Sequence, residues 1–193
     1  MEKILIISGS VNAATALSAF IRDSFQCDVK AVETAYQARS IFRSETATEL
    51  VLINSPLADE SGVDLAKYII DNSAASCILI VKAELAEKYA ERLEQYGIIV
   101  VSRPFNKNVL YQLIRTVDIA IRRAYKLYEE NLRLEEQLSE VRTVDKAKFH
   151  LMQYKGMTEE EAHTYIEQYA MNKRRKKRIA ALEIIDKLNE QYL

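Results

Sequence analysis

Cysteine and histidine are nearly absent from this chain, at 2 residues each. Cys27 and Cys77 stand far apart in apolar-looking stretches. That excludes a disulfide framework or a thiolate zinc site and leaves two free thiols in a reducing compartment. His150 and His163 have no Cys or carboxylate at ligand spacing, so no metal and no cofactor is expected. Glycine numbers only 4, and Gly9 alone makes no glycine-rich phosphate loop. No Ser/Gly-rich hinge, low-complexity linker or internal repeat is present, and no Ser/His/Asp arrangement suggests a catalyst. No apolar run is long enough to span a bilayer. The N-terminus enters directly on Lys3-Ile4-Leu5-Ile6-Ile7, too short for a signal peptide. The expectation is a soluble, cytoplasmic protein with no membrane partner and no enzymatic activity.

Neither sign of charge dominates the 193 residues, with 27 basic against 28 acidic side chains. The distribution is uneven: residues 1–141 carry 16 basic and 20 acidic, and residues 142–193 carry 11 and 8. A front at −4 and a tail at +3 point to a polyanion partner at the C-terminal end. The most conspicuous element lies between them. Asn106 to about Met152 contains neither Pro nor Gly. Alternating steps of three and four from Leu110 give Leu113, Val117, Ala120, Ala124, Leu127, Asn131, Leu134, Leu138 and Val141, and the pattern fails at Asp145. This is the a/d seam of a coiled coil over about five heptads, roughly 50 Å long at ~1.5 Å per residue. Its first turns can pack on the domain before it, and its middle needs a second chain, so a homodimer is expected. Asn131 at an a position favours an in-register pair, while Glu130 at g would face Glu135 at e in a parallel one. Parallel and antiparallel pairing both stay open.

Ahead of the long helix, apolar runs at 3–8, 28–32, 50–53, 78–81 and 98–101 alternate with helical patterns. The helices show Ala14, Leu17, Phe20, Ile21; Ala35, Ala38, Ile41, Phe42; Val63, Ala66, Ile69, Ile70; and residues 84–96. Five strands alternating with helices describe a doubly wound α/β sheet, whose parallel strands should be apolar throughout. A ligand site in that fold lies beyond the carboxyl ends of the strands. Those ends are Ser8-Gly9-Ser10, Asn54-Ser55, Lys82-Ala83 and Arg103-Pro104-Phe105. Asn54 with Gly62, Lys82-Ala83 and Arg103-Pro104-Phe105 resemble the phospho-acceptor loop, switch pair and fifth-strand end of response-regulator receiver domains. The resemblance implies a flavodoxin-like, five-stranded parallel domain over residues 1–120. It also implies a degenerate pocket. Ser8 and Gly9 stand where receivers place a Mg²⁺-binding acidic pair, Asn54 where the acceptor Asp belongs, Lys82 for Thr/Ser, and Arg103 for the catalytic Lys. Lys82 beside this pocket is a candidate for an anion or for pairing with Asp59; an acidic loop at 59–60 is more ordinarily just solvated.

The tail opens at Gly156, a plausible helix C-cap. Thr158 and Glu161 then form a capping box. A helix carries Ala162, Tyr165, Ile166 and Tyr169, the basic run Lys173, Arg174, Arg175, Lys176, Lys177, Arg178 follows, and a last amphipathic helix carries Ile179, Leu182, Ile185 and Leu188. Arg142, Ala147-Lys148, Leu151-Met152, Gly156 through Ala162, Tyr165-Ile166, Ala170-Met171 and Ile179-Ala180 resemble the ANTAR domain of AmiR/NasR-type antiterminators. Phe149 departs from the pattern, which has Gly after Ala-Lys. The resemblance implies a three-helix RNA-binding domain at 134–193, following a dimeric coiled coil at 106–145, in a transcription regulator of the two-component kind. Its partner would be hairpin loops of a nascent leader transcript, bound so that a terminator does not form. From the residues themselves, Arg142, Lys146, Lys148 and the 173–178 run are the phosphate-binding candidates. Tyr154 and Tyr169 are candidate base stackers, with core packing as the competing reading. A DNA-binding response regulator is the alternative, though the tail lacks a clear helix-turn-helix pattern. Control is left open between a regulatory sensor protein, a small ligand and dimer concentration alone.

Overall fold

The computed structural model describes residues 1–44 and 48–192. The chain divides into two compact units, Met1–Ala124 and Tyr125–Leu193.

In the first unit, β1 (Lys3–Ser8), β2 (Asp28–Val32), β3 (Leu50–Asn54), β4 (Ser76–Lys82) and β5 (Ile98–Arg103) form one sheet. All pairings are parallel and the order is β2-β1-β3-β4-β5. This is the flavodoxin-like order, which changes direction between β1 and β3. β3 is buried along its whole length, as a central strand covered on both faces must be. The edge strand β2 departs from the expected apolar run: Asp28 and Lys30 are exposed, because an edge strand needs only one side sealed.

The helices α1 (Val11–Phe25), α2 (Ala35–Ser44), α3 (Gly62–Asn72) and α4 (Ala83–Leu93, with a 3₁₀ turn at Glu94–Tyr96) follow their strands. One core joins Leu5, Ile7, Ile53, Leu79 and Val81 to α2, α3 and α4. The opposite face of the sheet joins Ile4, Ile6, Leu52 and Ile80 to Ile21 of α1 and to Leu110, Ile114 and Val117 of α5 (Lys107–Lys155). Cys27 is half-buried and Cys77 fully buried, both as free thiols.

This second core corrects the seam. Val117 is 5% exposed and Leu113 is partly buried against the sheet. Val117 is closed to a second chain and Leu113 is only partly open, because the first turns of α5 are the last layer of the α/β domain. Farther along, Leu127, Leu134, Leu138 and Val141 are 51–56% exposed, and Asn131 is exposed too.

In the second unit, the end of α5 packs with α6 (Glu159–Lys173) and α7 (Lys177–Tyr192). Their core is Ala147, Leu151, Ala162, Ile166, Ala181, Ile184, Ile185 and Leu188. Gly156 ends α5 with φ +67, and its N–H reaches the Met152 carbonyl at 3.1 Å. Only glycine takes that conformation without steric cost. Thr158 caps α6 with the full capping box: its hydroxyl accepts from Glu161 N, and Glu161 accepts from Thr158 N. The apolar residues of α7 divide between core and surface, with Ile185 and Leu188 buried. Ile179 and Leu182 are 41% and 44% exposed, while Ala180, Ala181 and Ile184 are buried. Small alanines let the helices approach closely, which rotates α7 so that the branched residues one position away turn outward.

Candidate nucleic-acid interface

The corner between α6 and α7 gathers the charge of the tail. Arg174 ends α6 in the left-handed region, φ 51, with its N–H on the carbonyls of Ala170 and Met171. Arg175 N closes a second bond to Ala170 O at 2.9 Å. The chain therefore reverses within the basic run, and its members split between the end of one helix, the turn and the start of the next. Lys173, Arg174, Arg175, Lys176 and Arg178 are exposed, and none makes an ion pair among the described residues. Arg142 and Lys146 project from α5 four residues apart and are also exposed. They border a groove with Leu138 on α5 and Leu182 and Asp186 on α7.

Two of the basic candidates have other engagements. The Lys148 ammonium is 2.9 Å from Asp145 and 3.0 Å from Glu159, and its side chain is 17% exposed. The hydrogen bond to Asp145 first, then that to Glu159, raises its pKa. Its charge is neutralised within the unit, so Lys148 ties α5 to the first turn of α6 and is removed from the set of free cations. Lys177 is likewise held by Glu167, which this hydrogen bond keeps below the usual carboxylate range. Glu167 also lies 3.3 Å from His163, so a carboxylate does stand one helical turn from that histidine.

Tyr154 and Tyr169 pack against the helical core rather than standing free. Tyr169 donates its hydroxyl to Glu183 at 3.0 Å and accepts from Lys187 at 2.8 Å, and its ring stacks on Tyr165 with centroids 6.4 Å apart. Phe149 is 61% exposed. At ~3.6 residues per turn it sits roughly opposite Ala147 on α5, so it does not disturb the packing of the tail.

The strand ends of the first unit form a closed polar network. Ser8 is fully buried and Asn54 is 6% exposed. Asn54 Nδ2 donates to Ser8 Oγ at 2.9 Å, and its Oδ1 accepts from Arg103 at 3.1 Å. Arg103 also donates to the Ser55 carbonyl at 2.5 Å. An amide, a hydroxyl and a guanidinium supply no anionic oxygen, and Gly9 adds none. These residues do not fit the Mg²⁺ that receivers hold. Lys82 is exposed and does not pair with Asp59. Asp59 accepts from Ala35 N and Tyr36 N, both at 3.0 Å, and so caps α2 from a distant loop. Those N–H groups, Ala35 first, lower its pKa. Its neighbour Glu60 pairs with Arg39, whose guanidinium lies 3.9 Å over the Tyr68 ring. Sequence spacing carried no signal for this loop-to-helix cap, since its partners are 23 and 24 residues away. Among the described residues no cluster of three or more His, Cys, Asp or Glu could hold a metal, and no helix is long and apolar enough to cross a membrane.

Solved structures resemble the first unit in fold. A response regulator receiver domain protein from Clostridium thermocellum matches with TM-score 0.56 at 14% identity, covering 66% of this chain and 99% of its own. A two-component response regulator from Clostridium difficile matches at 0.54 and 18%, covering 61% and 95%. The chemotaxis response regulator CheY4 of Vibrio cholerae matches at 0.53 and 15%, covering 61% and 98%. No curated protein sequence matches the chain. The family model of the ANTAR domain matches residues 132–185. The chain thus carries an ANTAR domain at residues 132–185, following in sequence a unit with the fold of receiver domains.

Proposed function

We propose that this protein is a homodimeric, RNA-binding transcription antiterminator whose receiver-like unit takes no phosphoryl group. In this reading residues 1–120 are a receiver-like module, 106–145 the pairing helix and 134–193 the RNA module. The dimer binds hairpin loops of a leader transcript and shifts the balance between RNA folds away from the terminator. A ligand shifts such a balance only by its difference in affinity for the two folds. No covalent bond is made or broken.

One observation carries the reading: within the stretch matched to the ANTAR domain, five of the six residues of the 173–178 run are exposed cations with no ion pair among the described residues. Uncompensated cations at a helical corner suit phosphate, and Arg142 and Lys146 extend the set along α5. Lys148 and Lys177 hold the corner's shape, and Tyr154 and Tyr169 support it from within. The exposed seam Leu127, Asn131, Leu134, Leu138 and Val141 favours pairing of two copies through α5. The Ser8–Asn54–Arg103 network, which contains no carboxylate, supports a receiver fold kept without its phosphorylation chemistry.

The deciding experiment is a mobility-shift comparison of hairpin RNA, the same stem without its loop, and duplex DNA. Preference for the looped RNA is the expected result. Equal or tighter binding to DNA duplex would instead favour a DNA-binding regulator, and binding to none would leave the seam as the chain's interaction surface.

A further inference from the structure

We propose that the first unit binds a small apolar monocarboxylate in a cleft between α1 and the start of α5, its carboxylate held by Arg103 and Lys107. The cavity has a volume of about 280 Å³. Leu17 and Phe20 of α1, with Phe105 and Leu110, supply apolar walls, and Asn54, Arg103 and Lys107 are the polar residues of the lining. Leu110 is 1% exposed, and Leu17, Phe20 and Phe105 are partly buried. Lys107 stands exposed among the lining residues.

The charge of this cleft is one-sided. No Asp or Glu lines it. Lys107 makes no ion pair among the described residues. A guanidinium has five N–H donors. Two of Arg103's are committed, to Asn54 Oδ1 and to the Ser55 carbonyl. Those two bonds hold the fork rigid while its other donors make no bond among the described residues. A planar guanidinium with spare donors, held in place by its neighbours, matches a carboxylate. Asn54 cannot meet that demand, because its amide is neutral and already shared with Ser8. In a phosphorylatable receiver a carboxylate occupies the Asn54 position. Here the cation that would face it is left to an outside anion.

The walls select the rest of the ligand. They are aliphatic and aromatic, so a bare anion gains nothing from them, while an apolar body is removed from water at about 25 cal/mol per Å². The volume lies just below the usual range of ligand pockets, about 300–1,000 Å³. It admits a body of a few carbons and excludes a nucleotide. A short aliphatic or aryl carboxylate satisfies both ends.

The test uses the full chain with ¹³C-labelled Ala and Leu methyl groups, titrated with hexanoate and with benzoate. Hexan-1-ol, acetate and inorganic phosphate serve as comparisons. Either carboxylate should shift the Ala13, Leu17 and Leu110 methyls saturably, with a dissociation constant on the order of 1 mM or tighter. Hexan-1-ol, acetate and phosphate should bind at least about tenfold more weakly, a difference of about 1.4 kcal/mol. Lys107→Glu should weaken the carboxylate about tenfold or more, and Ala16→Phe should fill the cleft and abolish saturation. Both positions are exposed, so both variants should keep the parent's amide spectrum. The proposal is overturned if neither carboxylate shifts those methyls, or if hexan-1-ol binds as well, which would make the cleft a plain apolar hole. It is overturned equally if acetate or phosphate matches hexanoate, or if Lys107→Glu binds like the parent. None of these readouts involves RNA, so the outcome is independent of the antitermination reading.

Discussion

Single residues decide which charges are available and which are already used. Asp59 illustrates the second case. Its folded pKa is depressed by the Ala35 and Tyr36 N–H groups. A depressed carboxylate contributes stability that is fully present above its unfolded pKa, about 3.9, and is lost as pH falls through the folded value. Asp59→Ala should therefore destabilise the protein at pH 7 by about 1 kcal/mol, the usual worth of a helix cap. Urea denaturation of parent and variant should converge in strongly acidic buffer; a gap that persisted there would assign the loss to something other than the cap. Asn54 illustrates an altered network. Asn54→Asp would place a carboxylate against Arg103, with Ser8 and Gly9 still offering no anionic ligand to a metal. With an acyl-phosphate donor and Mg²⁺, neither parent nor variant should gain mass, and a phosphorylated variant would show that the acidic pair is dispensable. Arg174 combines two roles, because it carries a charge and occupies a left-handed position. Arg174→Gly relieves that backbone, with glycine favoured there by roughly 1 kcal/mol. It should raise the thermal midpoint slightly while weakening RNA binding. Loss of both together would mean that the arginine side chain shapes the corner as well as charging it. Cys77 is buried and its thiol is pushed up to about 12, so it should stay unmodified by thiol reagents until the protein unfolds.

At the scale of elements, α5 performs two tasks along its length. Its first turns complete the α/β core through Leu110, Ile114 and Val117. Its later turns expose Leu127, Leu134, Leu138 and Val141. A row of exposed leucines at heptad spacing is a feature that a monomer rarely carries without use. Replacing Leu127 and Leu134 with Glu should convert a dimer to monomers in sedimentation without changing the circular dichroism of the α/β unit. Dimers that survive would shift attention to a second exposed row, Tyr125, Tyr128 and Leu132, which lies on another side of the same helix. The corresponding substitutions at Leu113 and Val117 should instead unfold the first unit, since both pack on the sheet.

For the whole molecule the proposal is that binding and pairing cooperate: two tails on one paired helix present two basic corners to two loops of one transcript. Binding should then depend steeply on salt. Each phosphate neutralised contributes a slope of about −0.7 in log K against log salt for single-stranded RNA. Arg174→Ala with Arg175→Ala should flatten the line by up to about 1.4 for each subunit and leave the dimer intact. Lys148→Ala should behave differently. It removes the bridge to Asp145 and Glu159, so it should lower the stability of the tail more than it changes the salt slope. A slope change equal to that of the arginine pair would return Lys148 to the RNA interface.

The order of strands and helices, the capping box at Thr158, the glycine cap at Gly156 and the unbroken α5 were all legible in the sequence. Each rests on local chemistry: alternation of apolar runs, a side chain within reach of the next turn, or the absence of a helix breaker. The lack of a carboxylate at the acceptor position and after β1 was legible too, because it follows from the identity of Asn54, Ser8 and Gly9. What tertiary structure alone decided is the fate of residues whose partners are distant or whose helix phase is shared. Heptad spacing treats Leu113 and Leu127 alike, and only the sheet makes one a core residue and leaves the other exposed. Asp59 and Glu60 look like a solvated acidic loop until α2 is folded against them. Lys148 looks like any other cation of the tail until the turn at Gly156 brings Glu159 to it. Charge and periodicity are properties of a residue and its near neighbours; availability depends on what the folded chain has placed next to them.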